Sequence, residues 1–169
     1  MDFNDIIYSS CDADAAFTHR LGFKHMLVLG KDVELRDIDR DKNTNAAGCI
    51  AIGSNKPRLE GAVKSGAHAI GITDYRIDRK LMQTMKEREV ALLVSFAGIK
   101  ELGGNSRQRA LYMMAKLVQK AVKMGIEVHF ASMARSKLQM FSTMQLIEMA
   151  KLVGVDEAAA KAGLSWELK

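Results

Sequence analysis

The sequence predicts an α/β fold built on a parallel sheet covered by helices. Two observations predict it. Short apolar runs rich in β-branched residues alternate with segments of helical period along most of the chain. Those runs are apolar almost throughout and do not alternate with polar residues, as strands buried on both faces require. Strand–helix alternation with right-handed crossovers leaves two architectures, an open doubly wound sheet or a barrel.

The elements follow in order. Residues 5–9 read as a strand, and a helix then begins with Asp12 as its N-cap and stops at Gly22. Residues 25–29 form the second strand, ended by Gly30, and the loop 31–48 has room for one more. Residues 49–53 are the third strand. Pro57 opens a helix that runs to about Ser65 and closes at Gly66, with proline in the first turn and glycine past the last. Residues 68–72 are a strand, 76–88 a helix, and 90–95 the most buried strand. A long helix spans 106–124, capped by Asn105 or Ser106 and stopped by Gly125. The sixth strand is 127–131, and helices at about 137–153 and 156–163 finish the chain. Six clear strands are fewer than the eight of a full barrel. No Ser/Gly linker or fixed repeat divides the chain, so residues 1–169 read as one domain.

Composition narrows the function. With 48% apolar and 27% charged residues and a single proline, the chain is neither disordered nor collagen-like. No apolar run approaches the length of a membrane span. The acidic start carries no basic-then-apolar signal pattern, so the expected location is cytoplasmic, with no membrane partner. Two cysteines, Cys11 and Cys49, are too few for a disulfide framework or a zinc cage. The formal charge is +5, and it is concentrated. Residues 105–147 carry Arg107, Arg109, Lys116, Lys120, Lys123, Arg135 and Lys137 against Glu127 alone. A basic block in an otherwise near-neutral chain suits an anionic partner, and nucleic acid is the commonest.

The long helix holds most of that block. At 100° per residue, Arg109, Lys116, Lys120 and Lys123 fall within about 60° of one another. Leu111, Met114, Leu117, Val118, Ala121 and Val122 lie on the other side. No acid occurs between Glu101 and Glu127, whereas a merely solvated face usually mixes signs through i,i+4 pairs. The ridge suits phosphate-backbone contact, which gives affinity without sequence reading. Tyr112 alone flanks it, so structured RNA read by shape fits better than single strands read by stacking. The Gly103-Gly104-Asn105-Ser106 turn feeds this helix, and free N–H groups there, with Arg107 and Arg109, would make an anion site.

Other constellations are weaker. Asp37, Asp39 and Asp41 alternate like the start of a calcium loop, but Lys42 stands where the turn needs glycine and Gly48 where the bidentate Glu belongs. His19, His25, His68 and His129 form no metal-binding pair, and no metal ligands are assigned. Neither a G-x-G-x-x-G nor a P-loop occurs. Thr73-Asp74 follows a strand at the end where barrel enzymes place catalysis, but a lone Asp is a weak signal. Eleven methionines are mostly core filler, and an adaptable protein interface accounts for some.

Residues 90–134 and 143–165 resemble the C-terminal half of ribonuclease P protein component 3, the thirty-kilodalton-type subunit of the archaeal and eukaryotic enzyme. A buried strand ends in Ser95, a short segment leads to Asn105-Ser106-Arg107 and Arg109, and a long basic helix follows. A strand ending near Ser132 and a Leu- and Gly-containing helical tail complete the pattern. Residues 48–75, with their Pro-Arg-Leu helix, are similar too. These segments lie within a stretch of about 115 residues, and residues 1–45 match only weakly. The family's usual His-Pro after the fourth strand is here Thr73-Asp74, and its usual Ser-Asp-Ala after the sixth is Ser132-Met133-Ala134.

The resemblance implies a shortened or distorted TIM-like barrel of the polymerase-and-histidinol-phosphatase (PHP) kind, with parallel strands and outer helices, lacking that group's metal site. It implies a subunit that supports removal of the 5′ leader from precursor tRNA, where the RNA subunit supplies the active site. No catalytic residue and no cofactor then belong to this chain, and Mg2+ serves the RNA-catalysed reaction of the holoenzyme. The implied partners are ribonuclease P RNA, precursor tRNA through the complex, and the smaller component 2 protein in a heterotetramer. The residues assigned to RNA are Arg107, Arg109, Lys116, Lys120 and Lys123, followed by Lys56, Arg58, Arg135 and Lys137. Two other classes compete. A small PHP-like metal-dependent phosphoesterase would have only Asp12, Asp74 and His129 to work with, and a protein-interaction scaffold would leave the charge incidental.

Overall fold

The structure, a computed structural model, describes residues 2–8, 11–41 and 45–165. β1 (Asn4–Tyr8) and β2 (His25–Leu29) pair in parallel, with α1 (Ala15–Arg20) as their crossover. β3 (Leu35–Asp37), β4 (Ile50–Gly53), β5 (Ala69–Ile72), β6 (Ala91–Ser95) and β7 (Val128–Ala131) form a second parallel sheet in chain order. α2 (Lys56–Lys64), α3 (Arg79–Glu87) and α5 (Gly104–Met124) connect its last four strands, and the short α4 (Ala97–Glu101) precedes α5. A 3-10 turn at Lys137–Gln139, α6 (Thr143–Leu152) and α7 (Glu157–Leu164) follow β7. The room foreseen in loop 31–48 is filled by β3.

The α/β architecture with parallel strands stands, but the expected barrel is corrected: the sheet is not closed. Among the described residues, strand pairing joins the two ladders at isolated bridges. One joins Ile7 to Ala134, where the Tyr8 N–H donates to the Ala134 carbonyl at 2.9 Å. The other joins Leu29 to Val33. Closure fails at that second seam for a local reason. β3 is only three residues long, and the Val28 N–H donates to the Asp32 carboxylate at 2.8 Å, capping the strand edge.

Both ladders nevertheless face one shared cluster. Ile6, Leu29, Val33 and Ile50 meet Ala69, Ala91 and Ala131 there. Small residues on three strands against large ones on the others fill a narrow interior. The opposite faces pack against the helices in a larger core, where Phe96 stacks on Phe130 at 5.9 Å and Phe141 lies edge-on to Phe96 at 6.3 Å. α7 crosses β7 closely: a Cβ on Gly163 would lie 2.6 Å from the Val128 carbonyl oxygen.

Caps explain where helix boundaries differ from expectation. Asp14, not Asp12, caps α1, accepting from the Phe17 N–H at 2.7 Å. Asp78 caps α3, so that helix starts at Arg79. The helix expected over 137–153 is interrupted at the extended Met140, and Ser142 and Gln145 form a capping box that starts α6 at Thr143.

Candidate nucleic-acid interface

α5 buries Met114, Leu117, Val118 and Ala121 and turns its other side outward. Arg109, Lys116 and Lys123 are exposed, and Lys120 is half-buried. At 1.5 Å per residue the ridge from Arg109 to Lys123 is about 21 Å long. Among the described residues none of these four cations pairs with a carboxylate. Lys116 Nζ lies over the Tyr112 ring at 4.5 Å, which holds it on the surface without neutralising it. Lys116–Lys120 and Lys120–Lys123 are like-charge neighbours at i,i+4 and i,i+3, each costing about 0.2–0.5 kcal/mol. No carboxylate on the helix offsets that cost.

The remaining assigned cations are placed differently. Arg107 lies on the far side of α5, and its guanidinium donates to the carbonyls of Leu102 at 2.7 Å and Lys100 at 3.4 Å, closing the C-terminal end of α4. α5 itself begins at Gly104, one residue before the expected cap, with no side-chain cap at Gly103. Lys56 pairs with Asp74 at 2.5 Å, mostly buried. Arg58 donates to the Asp41 carbonyl. The free N–H groups at the start of α2 are taken by Asp39, which accepts from Ser54 N–H at 2.8 Å and Asn55 N–H at 3.0 Å. Those bonds hold the Asp39 carboxyl below its usual range, against its partial desolvation. The alternating aspartates of the loop are thus local structure.

Arg135 and Lys137 sit beyond β7. The Arg135 guanidinium lies over the Tyr8 ring at 4.7 Å, and Lys137 Nζ is 3.8 Å from Asp12. Sequence reasoning placed a helix over 76–88 but assigned it no RNA contact; as α3 it lies against α5. Arg79, Lys86 and Arg88 are exposed there and, among the described residues, without ion pairs. Glu87 and Glu89 cancel their charge in any local sum, which is why the sequence hid them.

Two buried ionisable groups stand apart from this surface. Asp5 is fully buried and accepts from the Ser132 N–H at 2.7 Å and the Ser132 hydroxyl at 2.5 Å; burial pushes its carboxyl up to about 6 against those bonds. His129 is held near 4 by desolvation, which Glu127 opposes, so it is neutral at pH 7. Among the described residues no three His, Cys, Asp or Glu side chains converge as a metal site would need, and no helix is long and apolar enough to cross a membrane.

No protein-family model matches the chain, and no curated protein matches it. Solved structures do. The fold is similar to a chain in the cryo-EM structure of archaeal ribonuclease P with mature tRNA, with a TM-score of 0.66 and 16% identity over 95% of this chain and 77% of that one. It is similar also to A. niger ochratoxinase, with a TM-score of 0.53 and 18% identity over 69% of this chain. The chain spans 28% of the ochratoxinase length. At these identities the likeness shows the fold.

Proposed function

We propose that the chain is a protein subunit of ribonuclease P, of the component 3 kind, that supports RNA-catalysed leader removal from precursor tRNA by binding RNA and a partner protein. The observation that carries this reading is the backbone likeness, over 95% of the chain, to a chain of archaeal ribonuclease P. The resemblance at residues 48–75 and 90–165 rests on residues, not on backbone, and points the same way. In this reading the two ladders are a shortened, unclosed counterpart of the barrel, and the RNA supplies the catalytic groups with its own Mg2+.

RNA contact centres on Arg109, Lys116, Lys120 and Lys123, whose charges have no partner within the described fold. Arg135 and Lys137 form a second contact. Arg107, Lys56 and Arg58 commit donors to the protein and act mainly by fixing the loops beneath the interface. The exposed Leu138, Met144 and Leu152 lie on the 3-10 turn and α6, off the cationic ridge, and offer apolar surface to the protein partner.

Reconstitution tests the reading. The RNA subunit and the other protein subunits are assembled with and without this chain, and leader cleavage is timed at limiting Mg2+. Cleavage is faster with the chain. No gain in rate overturns the assignment.

A further inference from the structure

A pocket of about 300 Å³ opens at the C-terminal ends of β4 to β7, away from the exposed ridge of α5. Ile52, Leu93 and Met133 wall it with apolar side chains, and the rings of Tyr8 and Tyr75 border it. Its size is at the lower end of small-ligand sites, suited to one heterocycle and not to a longer group.

The backbone is strained at the same place. Tyr75 (φ 53°) and Met133 (φ 48°) are two of the three non-glycine residues in the left-handed region among the described residues, and both line this pocket. Such conformations cost about 1–2 kcal/mol each. They persist where surrounding structure over-determines them, and they cluster at ligand sites.

The polar groups lie at the mouth and are fixed. Gln139 accepts from the Arg135 N–H at 2.7 Å through its amide oxygen and donates through its amide nitrogen to the Glu101 carboxylate. The Arg135 guanidinium plane, over Tyr8, gives the mouth a flat cationic edge suited to a phosphate or a base face. Glu101, the one carboxylate lining the pocket, supplies an acceptor matched to an exocyclic amino group.

We infer that this pocket binds a single unstacked nucleotide, its amino-bearing base between Met133 and Tyr8 and facing Glu101, and its phosphate at Arg135. The inference rests on the ribonuclease P reading only for the source of that nucleotide, an unpaired position of RNA as opposed to a free nucleotide.

The experiment is a titration of the full chain carrying 13C-methyl methionine, following the Met133 methyl resonance. Probes are AMP, CMP and UMP, then a short unstructured oligoribonucleotide containing one adenine among uracils. AMP and CMP shift the Met133 signal at least tenfold more readily than UMP, which lacks the amino group, and the oligonucleotide shifts it at lower concentration than AMP. A shift by AMP and CMP with none by the oligonucleotide keeps the site and assigns a free nucleotide as its source. Gly98→Leu, at a pocket-lining position where an added Cβ meets nothing within 4 Å, places a branched side chain at the pocket and abolishes the shift. No shift with any probe, or an unchanged shift in Gly98→Leu, overturns the inference. Reconstituted leader cleavage is read separately, so a stimulating chain with a silent pocket sinks this site alone, and a responsive pocket without stimulation sinks the ribonuclease P reading alone.

Discussion

The carboxylate of Asp5 and the hydroxyl and N–H of Ser132 bond to each other across 127 residues of chain, with both residues fully buried. Together with the Tyr8–Ala134 backbone bond they fasten the first ladder to the end of β7. One side-chain pair thus does work that a continuous ladder would share among many peptide groups.

That pair predicts a particular pH behaviour. Asp5 is raised from 3.8 to about 6, so its contribution to stability is complete below about 3.8 and is lost as pH rises through about 6. His129 is lowered from 6.5 to about 4, so its contribution is complete above 6.5 and is lost as pH falls through about 4. The two oppose each other between pH 4 and 6.5. Denaturant melts across that range, read against the wild type, separate them. Asp5→Asn gains on the wild type as pH rises, and His129→Gln loses, each by up to roughly 3 kcal/mol at 1.36 kcal/mol per pKa unit. Two profiles parallel to the wild type would refute both assignments.

Two glycines predict opposite signs. Gly163→Ala drives a methyl into the Val128 carbonyl at 2.6 Å and the Phe130 ring at 2.7 Å, and lowers stability by about 1–3 kcal/mol. Gly98→Ala, in α4 with open space around the new Cβ, raises it by up to about 1 kcal/mol through helix propensity. Thermal melts of both variants check the pair, and a stabilised Gly163→Ala contradicts the close crossing of α7 over β7.

The ridge on α5 predicts a conflict between stability and binding. Lys120→Glu removes two like-charge pairs and creates two opposite-charge ones with Lys116 and Lys123, stabilising the protein by about 1 kcal/mol. The same change weakens RNA binding at low salt. If the variant is more stable and binds RNA as well as the wild type does, the ridge is not an RNA surface.

Salt dependence counts the phosphates. The double variant Lys116→Ala, Lys120→Ala reduces the slope of log affinity against log salt for precursor tRNA by close to two units, about one per lost phosphate contact. Arg107→Ala leaves the slope near its wild-type value, because that guanidinium already serves the carbonyls of Leu102 and Lys100. An unchanged slope in the double variant removes these lysines from the interface.

Much of this was legible from residues. The strand at 25–29 is a short apolar run and the long helix is strongly periodic, with Gly30 and Gly125 closing them, and both lie where the sequence puts them. The cationic ridge was legible because four positions share one helical face. β3 was not, since three half-buried residues carry no period. The break at Met140 was marked by Ser142 and Gln145, but the apolar residues around it imitate a continuous helix. The pocket was invisible for another reason: its lining comes from the ends of β1 and of β4 to β7, and only the fold assembles them. Lys56 and Arg58 looked like free cations because Asp74 and the Asp41 carbonyl lie at sequence distances no local pattern links.

The clasp between residues 5 and 132 also sets an order in time. A ribosome extends the chain at about 5–20 residues per second, so Ser132 is synthesised about 6–25 s after Asp5. Until then β1 lacks its bridge to Ala134, and the cluster around Ile7 lacks Ala134 and Met140. The β1–β2 ladder is therefore a segment exposed to holdases during synthesis, and the emergence of β7 and Ser132 completes its seam.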